Sequence, residues 1–223
     1  DVAQLTKALN HIARHMGEEQ VNELLDEIIG NRKKIEPWLE EPSIAQGVRA
    51  RVLETLKLQQ GQSRESLLAD YAATIPPRLK DYTTAVDILQ MGGKGNTENA
   101  ERLLGSLEFW RTGNRQVPDE LFNEWIHIFL TQKFLPRKSM LDKKQATNYP
   151  DTNDFLIEER DRVYALTQQI FAAEAAQWSL AVLTVAEAVL ALYRDLKLRK
   201  GLLDYEDLIV KAHQLLKREG IAP

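Results

Sequence analysis

The sequence predicts an all-α protein, an elongated multi-helix subdomain with one very long or kinked helix near its C-terminus. Apolar residues recur at spacings of three and four along most of the chain, as they do on one face of a helix. The segment from Asp151 to Lys200 contains neither glycine nor proline, so no local signal ends a helix there. No pair of segments alternates apolar and polar residues in the way that predicts paired strands.

Composition limits the functions that the chain can have. The 223 residues are 43% hydrophobic and 28% charged, with a net charge of −4, so any contact with nucleic acid must come from a local basic patch. The lack of cysteine excludes disulfides and thiolate chemistry and favours an intracellular, cytoplasmic chain. No apolar run approaches the roughly 20 residues of a membrane span, so no membrane contact is expected. The start at Asp1, inside a helical pattern, suggests a piece of a longer protein.

A glycine-rich segment, Met91 to Thr97, reads MGGKGNT. A phosphate-binding loop follows a strand and ends in GK[ST], and this segment has neither feature. We therefore predict a plain, flexible loop rather than a nucleotide site.

The one basic segment of the chain extends from Phe129 to Asp151, with two prolines and no helical period. Up to Pro150 its charged residues give a local charge of +4, since Asp142 alone opposes Lys133, Arg137, Lys138, Lys143 and Lys144. Lysine and arginine displace counterions from DNA phosphates without reading bases. A solvated loop whose charges only aid solubility is the alternative. Phe134 and Tyr149 could stack on bases, or pack in the core or loop.

The long glycine-free run carries a regular apolar seam in its second half. Its members alternate spacings of four and three, and they are Trp178, Val182, Val185, Val189, Leu192 and Leu196. Such a seam predicts packing along another helix. An unbroken helix over this run would be roughly 75 Å long, whereas a compact domain of this size is roughly 45 Å across. The run therefore bends or splits, near Glu174, or the domain is elongated.

No set of residues assembles into an active site. His127 has no second ligand at metal spacing, so it is expected at the surface or core edge. Glu158, Glu159 and Arg160 are expected on a solvated helix face. For the acids Asp204, Glu206 and Asp207, capping of a helix start is favoured over a metal or acid–base cluster. We predict no catalytic, metal or cofactor site in this chain.

The joint before these acids is sharply defined. Lys197, Arg199 and Lys200 place positive charge at the end of the long helix, where the helix dipole favours it. Gly201 then stands where a left-handed C-cap is preferred, and Asp204 where an N-cap is expected.

Two segments together resemble the AddA subunit of the bacterial helicase–nuclease that repairs double-strand breaks. FLTQKFLPRKSMLDKK, at 129–144, is similar to its FLTxxGxPRK segment. It departs from that pattern at the tip, Phe134-Leu135, where the family usually has its glycine and a small or acidic residue. YRDLKLRKGLLDYEDLIVKAHQLL, at 193–216, resembles an element shared more loosely by the UvrD/Rep/PcrA helicases. The residues that match this second element are Tyr193, Lys197, Gly201, Leu203, Asp204, Tyr205, Asp207 and Leu208.

The resemblance implies a fragment of a superfamily 1 DNA helicase. Residues 1–200 would form its helical 1B subdomain and residues 201–223 the start of the return into the ATPase (1A) domain. The parent would use ATP and Mg²⁺, carry a nuclease domain and bind an AddB-like partner subunit, while this fragment would guide duplex or forked DNA without catalysis. The DNA contacts it implies are the five basic residues of the segment, Lys133, Arg137, Lys138, Lys143 and Lys144.

A second hypothesis needs no DNA. A free-standing all-helical scaffold would use the seam from Trp178 to Leu196 to bind a partner helix. It predicts an exposed apolar stripe and association that depends on concentration.

Overall fold

A computed structural model of the chain describes residues 2–39, 42–202, 208–209, 212 and 215. Within these residues it is all-α and has no strand, only an isolated bridge between Leu130 and Pro136. The predicted all-α class is confirmed, as is the very long helix near the C-terminus.

The helices follow the chain in a simple order. A 3₁₀ turn at Pro76–Arg78 separates the fifth from the sixth. The α-helices are α1 (Val2–Ala13), α2 (Glu18–Gly30), α3 (Arg32–Leu39), α4 (Pro42–Thr55), α5 (Arg64–Ala73), α6 (Leu79–Gln90), α7 (Lys94–Arg111), α8 (Asp119–Phe129), α9 (Lys143–Asn148) and α10 (Pro150–Lys200).

The chain divides into two compact units, and α10 contributes to both. Unit 1 comprises residues 1–52 and 177–223, and unit 2 comprises residues 53–176. The α10 helix is continuous in secondary structure through the region of Glu174. A split at that position, which was one of the expectations, is therefore not observed. The predicted boundary between residues 200 and 201 stays a prediction.

Unit 2 has an aromatic core. Its largest buried side chains come from α6, α7 and α8, and the rings of Tyr82 and Trp110 each contact that of Trp125 edge-on, at 5.4 and 5.3 Å. Edge-to-face pairs of this kind add to the stability that burial alone provides. The first half of α10 covers this core with Leu156 and Val163, which are fully buried.

Unit 1 is built on the second half of α10. Ala8 and Ile12 of α1 and Ile28 of α2 share a buried cluster with Val185 and Leu190. A bidentate ion pair stabilises this unit, because the guanidinium of Arg49 donates to both carboxylate oxygens of Glu187 at 2.8 and 2.7 Å. Pairing of the half-buried Glu187 with a cation explains how the apolar run accommodates its one acid.

The predicted seam is only partly used. Trp178, Val182, Val185 and Val189 pack in the unit 1 core. Leu192 and Leu196, at the C-terminal end of the seam, are 59% and 44% exposed. The prediction of helix-to-helix packing is confirmed for the first four positions and not for the last two.

Two loops are shorter than the sequence predicts. Helix α7 begins at Lys94, so most of the segment predicted as a flexible MGGKGNT loop is helical. Helix α9 lies inside the basic segment, where no helix was predicted. Its signal is Asp142, whose side chain accepts a hydrogen bond of 2.9 Å from the backbone N–H of Gln145, as an N-cap does.

The expectation that no apolar run is long enough for a membrane span is wrong, because part of α10 has the length and the composition of a span. Between Glu174 and Arg194 the sequence has a single charged residue, Glu187, and α10 contains a window of 18 residues that meets both criteria. Only 28% of that window is buried. Core helices of soluble proteins pass the same test, so this feature alone assigns no location.

Candidate nucleic-acid interface

The basic segment begins as a tight, hydrogen-bonded turn. Thr131 N–H donates to the carbonyl of Leu135 at 2.8 Å, and Phe134 N–H donates to the carbonyl of Thr131 at 2.9 Å. The Thr131 hydroxyl also accepts from Leu135 N–H at 3.2 Å. With the bridge between Leu130 and Pro136, these bonds close residues 130–136 into a defined loop, whose tip is residues 131–135.

Phe134 has an unusual backbone conformation in this loop. Its φ is 56°, the left-handed region that glycine adopts freely and that costs other residues free energy. Its ring packs against the unit 2 core and lies 5.2 Å from the ring of Phe171 and 5.9 Å from that of His127. Packing of its half-buried ring therefore holds Phe134 in place, and His127 lies at the core edge as predicted.

Arg137 has a structural function. Its Nη2 donates to the carbonyl of His127 at 2.8 Å and its Nε to that of Leu130 at 3.3 Å. Its own carbonyl accepts from Nη1 of Arg160 at 2.9 Å. The side chain therefore ties the start of the basic segment to the C-terminal end of α8, where unpaired carbonyls favour a cation.

The second half of the basic segment is anchored by Gln145, which is 6% exposed. Its Nε2 donates to the carbonyl of Ile88 at 2.6 Å, and its Oε1 accepts from Nδ2 of Asn96 at 2.6 Å. A side chain on Gly92 would collide with this junction, because a Cβ there would lie 2.6 Å from Asn96 Nδ2 and 2.8 Å from Gln145 Nε2. The junction fixes α9 on the turn between α6 and α7.

The four lysines of the segment are exposed, in contrast to Arg137. They are Lys133, Lys138, Lys143 and Lys144. None of them pairs with a carboxylate among the residues that the structure describes. Tyr149, which is 38% exposed, lies beside this surface with its hydroxyl 3.9 Å from the sulfur of Met91. The structure therefore presents exposed cations on a backbone that its hydrogen bonds hold in place.

The family-like element at the end of α10 is described only in part. Gly201 has φ 63°, its N–H donates to the carbonyl of Leu198 at 3.3 Å, and Leu202 N–H donates to that of Lys197 at 3.0 Å. These two bonds form a Schellman motif, so the predicted C-cap is confirmed. Leu203, Asp204, Tyr205, Glu206 and Asp207 lie outside the described residues.

Three other residues of that element are described. The ammonium of Lys197 lies 5.1 Å from the centre of the Tyr193 ring, whose other contacts include the guanidinium of Arg32 at 5.4 Å. Leu208 is 52% exposed. A cation over an aromatic face is attracted to the ring. The contacts of Lys197 and Arg32 with the Tyr193 ring therefore stabilise the end of α10 within unit 1.

A buried polar cluster was missed by the sequence analysis. Glu159, predicted on a solvated face, has no exposed side-chain surface. The hydroxyl of Tyr71 donates to one of its oxygens. Arg78 and Arg162 donate to the other at 3.0 and 2.6 Å. Trp125 Nε1 donates to the Tyr71 hydroxyl at 2.7 Å, which completes the cluster.

This cluster has a structural function in unit 2. Burial is the main cause that holds the pKa of Tyr71 well above its ordinary value, and the charge of Glu159 is the second. The same two causes, in the same order, raise the pKa of Tyr82. Both phenols therefore stay neutral at physiological pH. Because each oxygen of the carboxylate already has partners, the cluster offers no free base. Of its neighbours on α10, Glu158 has a 64% exposed side chain, as predicted, whereas that of Arg160 is only 16% exposed.

In the part of the chain that is described, no group of three or more His, Asp or Glu side chains could hold a metal ion. Comparison with protein-family models, curated proteins and solved structures finds no match to this chain. A functional interpretation therefore depends on the geometry of the basic segment and on the motif resemblance.

Proposed function

We propose that this chain is a DNA-guiding subdomain of the 1B type, from an ATP-dependent helicase–nuclease of the AddA kind that acts in double-strand-break repair. The observation that carries the proposal is the basic segment, whose four exposed lysines pair with no carboxylate in the described part of the chain. They are carried by a tightly bonded loop, an anchored helix and the residues between them. Such cations bind phosphates by releasing counterions and do so without reading sequence.

The position of two lysines supports a binding function over a purely structural one. Lys143 and Lys144 occupy the first turn of α9, where the helix dipole disfavours cations. They are therefore not placed there to stabilise the helix. An external anion, such as a DNA phosphate, would offset that unfavourable placement.

The loop conformation supports the family resemblance. Counted from Phe129, the FLTxxGxPRK pattern has its glycine at position 134, and Phe134 has the left-handed backbone that glycine favours. The arginine of the pattern is Arg137, whose bonds to the carbonyls of His127 and Leu130 organise the loop. We assign Arg137 to loop positioning and the four lysines to DNA contact.

On this proposal the chemistry lies in other parts of the parent protein. ATP and Mg²⁺ would bind there, together with a nuclease domain and an AddB-like partner subunit, in the cytoplasm. Residues 1–200 would be the 1B subdomain and residues 201–223 the return into the ATPase domain. Tyr193 and Lys197 would then help to align the end of α10 with that domain.

Binding to a fluorescent duplex, followed by anisotropy as salt is raised from about 50 to about 200 mM, tests this proposal. We expect weak, salt-sensitive binding. The double variant Lys143→Gln/Lys144→Gln should reduce the slope of log affinity against log salt by about 2, since each phosphate contact contributes about 0.9. A matched double variant, Lys80→Gln/Arg102→Gln, removes the same charge from exposed positions of α6 and α7 and should leave the slope unchanged. No binding at low salt, or equal effects of the two double variants, would refute the proposal.

A second candidate is a helical interaction scaffold, and one observation favours it. Leu192 and Leu196 continue the seam beyond the unit 1 core and remain 59% and 44% exposed. If this face binds a second copy of the chain, light scattering will show a mass that rises with concentration, and Leu192→Ser/Leu196→Ser will abolish the rise. A monomer at all concentrations would exclude self-association through the seam.

A further inference from the structure

The end of α1 brings together two of the four histidines of the chain. His11 lies in the last turn of α1, and His15 lies four residues later, in the turn that follows. Residues four positions apart along a helix share one face. The backbone of the turn is fixed, because the N–H of His15 donates to the carbonyl of Ile12 at 3.1 Å and the side chain of Ile12 is buried in the unit 1 core.

The distance between the two imidazole rings matches the one that a shared metal ion requires. Their centres lie 5.3 Å apart. Imidazole nitrogens bind a cation such as Zn²⁺ at roughly 2.0–2.1 Å in tetrahedral geometry, which places the centres of two rings on one ion roughly 5 Å apart. Because the side chain of His15 is exposed, rotation of its ring can direct a nitrogen at that ion without a change in the backbone.

A buried nitrogen of His11 is the second observation. Its Nε2 has no hydrogen-bond partner, and a buried polar atom in this state costs free energy unless water or an ion satisfies it. Both rings also lie against the ring of Trp178 on α10, at 5.1 Å for His11 and 5.6 Å for His15. This packing accounts for the position of the two rings, but it leaves the nitrogen of His11 without a partner.

We infer that His11 and His15 form a chelating site for one divalent transition-metal ion of the Cu²⁺ or Zn²⁺ type. Each ring supplies the lone pair of one nitrogen and replaces one water of the hydrated ion. No third His, Asp or Glu side chain among the described residues completes a larger group, so water occupies the other positions. Imidazole nitrogens favour these ions over Mg²⁺ and Ca²⁺, which prefer oxygen ligands. The site belongs to unit 1 and is independent of the proposed DNA-binding function.

Titration with Cu²⁺ at about pH 7.5 tests the inference, because an imidazole with an ordinary pKa of about 6.5 is neutral there. Bound Cu²⁺ quenches the fluorescence of a nearby indole, so emission should fall and saturate at one ion per chain, and Mg²⁺ should have no effect. His15→Asn should weaken binding by more than about tenfold, since even residues behind metal ligands change the affinity by about 10–100-fold. His127→Asn removes a histidine outside the pair and is the control, which should bind Cu²⁺ as the unmodified chain does.

Two further measurements assign the site. The chain has four tryptophans, so Trp178→Phe should abolish the saturable quenching, while isothermal titration calorimetry still detects the bound ion. Zn²⁺ should raise the urea midpoint of the unmodified chain and of His127→Asn but not that of His15→Asn, because an ion held by the folded pair stabilises the fold by mass action.

The outcomes are separate from those of the DNA-binding experiment. Unchanged emission of the unmodified chain, or equal Cu²⁺ affinity of His15→Asn, overturns the metal site and leaves the proposed function intact. A failure to bind DNA overturns the proposed function and leaves the metal site intact. Far-UV circular dichroism of His15→Asn should match that of the unmodified chain, since the His15 side chain is exposed.

Discussion

The guanidinium of Arg137 donates a 2.8 Å hydrogen bond to the backbone carbonyl of His127, two residues before the end of α8. A second bond reaches the carbonyl of Leu130. The cation therefore satisfies carbonyls that the helix leaves unpaired. The basic residues of one segment thus differ in function, since the adjacent Lys138 is exposed and Arg137 is held by the protein itself.

Arg137→Ala should therefore destabilise unit 2. Loss of charge-assisted bonds to buried carbonyls typically costs about 1–3 kcal/mol of unfolding free energy. Lys138→Ala removes the same charge from the neighbouring exposed position and should change the free energy by less than about 0.5 kcal/mol. Urea unfolding followed by circular dichroism measures both. Equal effects of the two variants would show that Arg137 has no structural function.

Substitution of Glu159 should be the more damaging change. Glu159→Gln would remove the negative charge that faces Arg78 and Arg162, both of which donate to the same carboxylate oxygen. Removal of one member of a buried ionic cluster costs about 3–5 kcal/mol, because it leaves uncompensated charge. We expect a matching loss in the unfolding free energy, measured in urea at neutral pH.

The neighbouring Glu158 supplies the control for that experiment. It lies on the same helix and pairs with Arg78 at 3.0 Å, but its side chain is 64% exposed. Exposed ion pairs contribute about 1 kcal/mol or less, so Glu158→Gln should have a small effect. A loss of unfolding free energy as large as that of Glu159→Gln would contradict the structural function assigned to Glu159.

The contrast between these two acids shows how far sequence analysis reaches. Helical periodicity predicts the fold class from local spacing alone, and the position of Gly201 after the basic last turn of the long helix predicts its C-cap. Burial of Glu159 depends on Tyr71 and Arg78, which lie more than 80 positions away in the chain. No local pattern distinguishes that carboxylate from its solvated neighbour, since only tertiary packing brings the partners together.

The basic segment is a second case in which tertiary packing decides what the sequence leaves open. Its charge, and the residues that carry it, could be read directly from the sequence. The difference in function between Arg137 and the lysines could not, because it depends on where the end of α8 lies. Helix α9 was missed since six residues are too few to show a period, although Asp142 stands at an N-cap position.

The junction beneath α9 provides a third prediction. Gly92→Ala should be destabilising, because its Cβ would meet Asn96 and the buried Gln145 at less than 3.0 Å. Overpacking of this kind costs about 1–3 kcal/mol, and displacement of Gln145 should also weaken DNA binding by the lysines of α9. Gly95→Ala, where nothing lies within 4 Å of the added atom, is the control and should not lower stability. If Gly92→Ala unfolds at the same urea concentration as the control, the junction is not tightly packed.

The last prediction concerns the pH dependence of unit 1. The ring of His11 lies 5.1 Å from that of Trp178 and 5.3 Å from that of His15, and its Nε2 is buried without a partner. Burial, followed by the charges of His15 and Arg14, lowers the pKa of His11 below 6.5. In the unfolded chain this pKa returns to about 6.5. Between the two values the unfolded state binds more protons, so the unfolding free energy contributed by His11 is complete above pH 6.5 and declines as the pH falls below it.

His11→Phe keeps an aromatic ring against Trp178 and removes the titrating group. We expect the unmodified chain to lose more stability than His11→Phe when urea unfolding at about pH 8 is compared with unfolding at about pH 5. The comparison between variants is necessary because carboxylates elsewhere in the chain also bind protons at low pH. Chemical shifts of the His11 ring protons, followed by NMR titration, measure the folded pKa directly. Parallel losses of stability in the two proteins, or a folded pKa at or above 6.5, would show that burial of His11 does not couple protonation to the folding of unit 1.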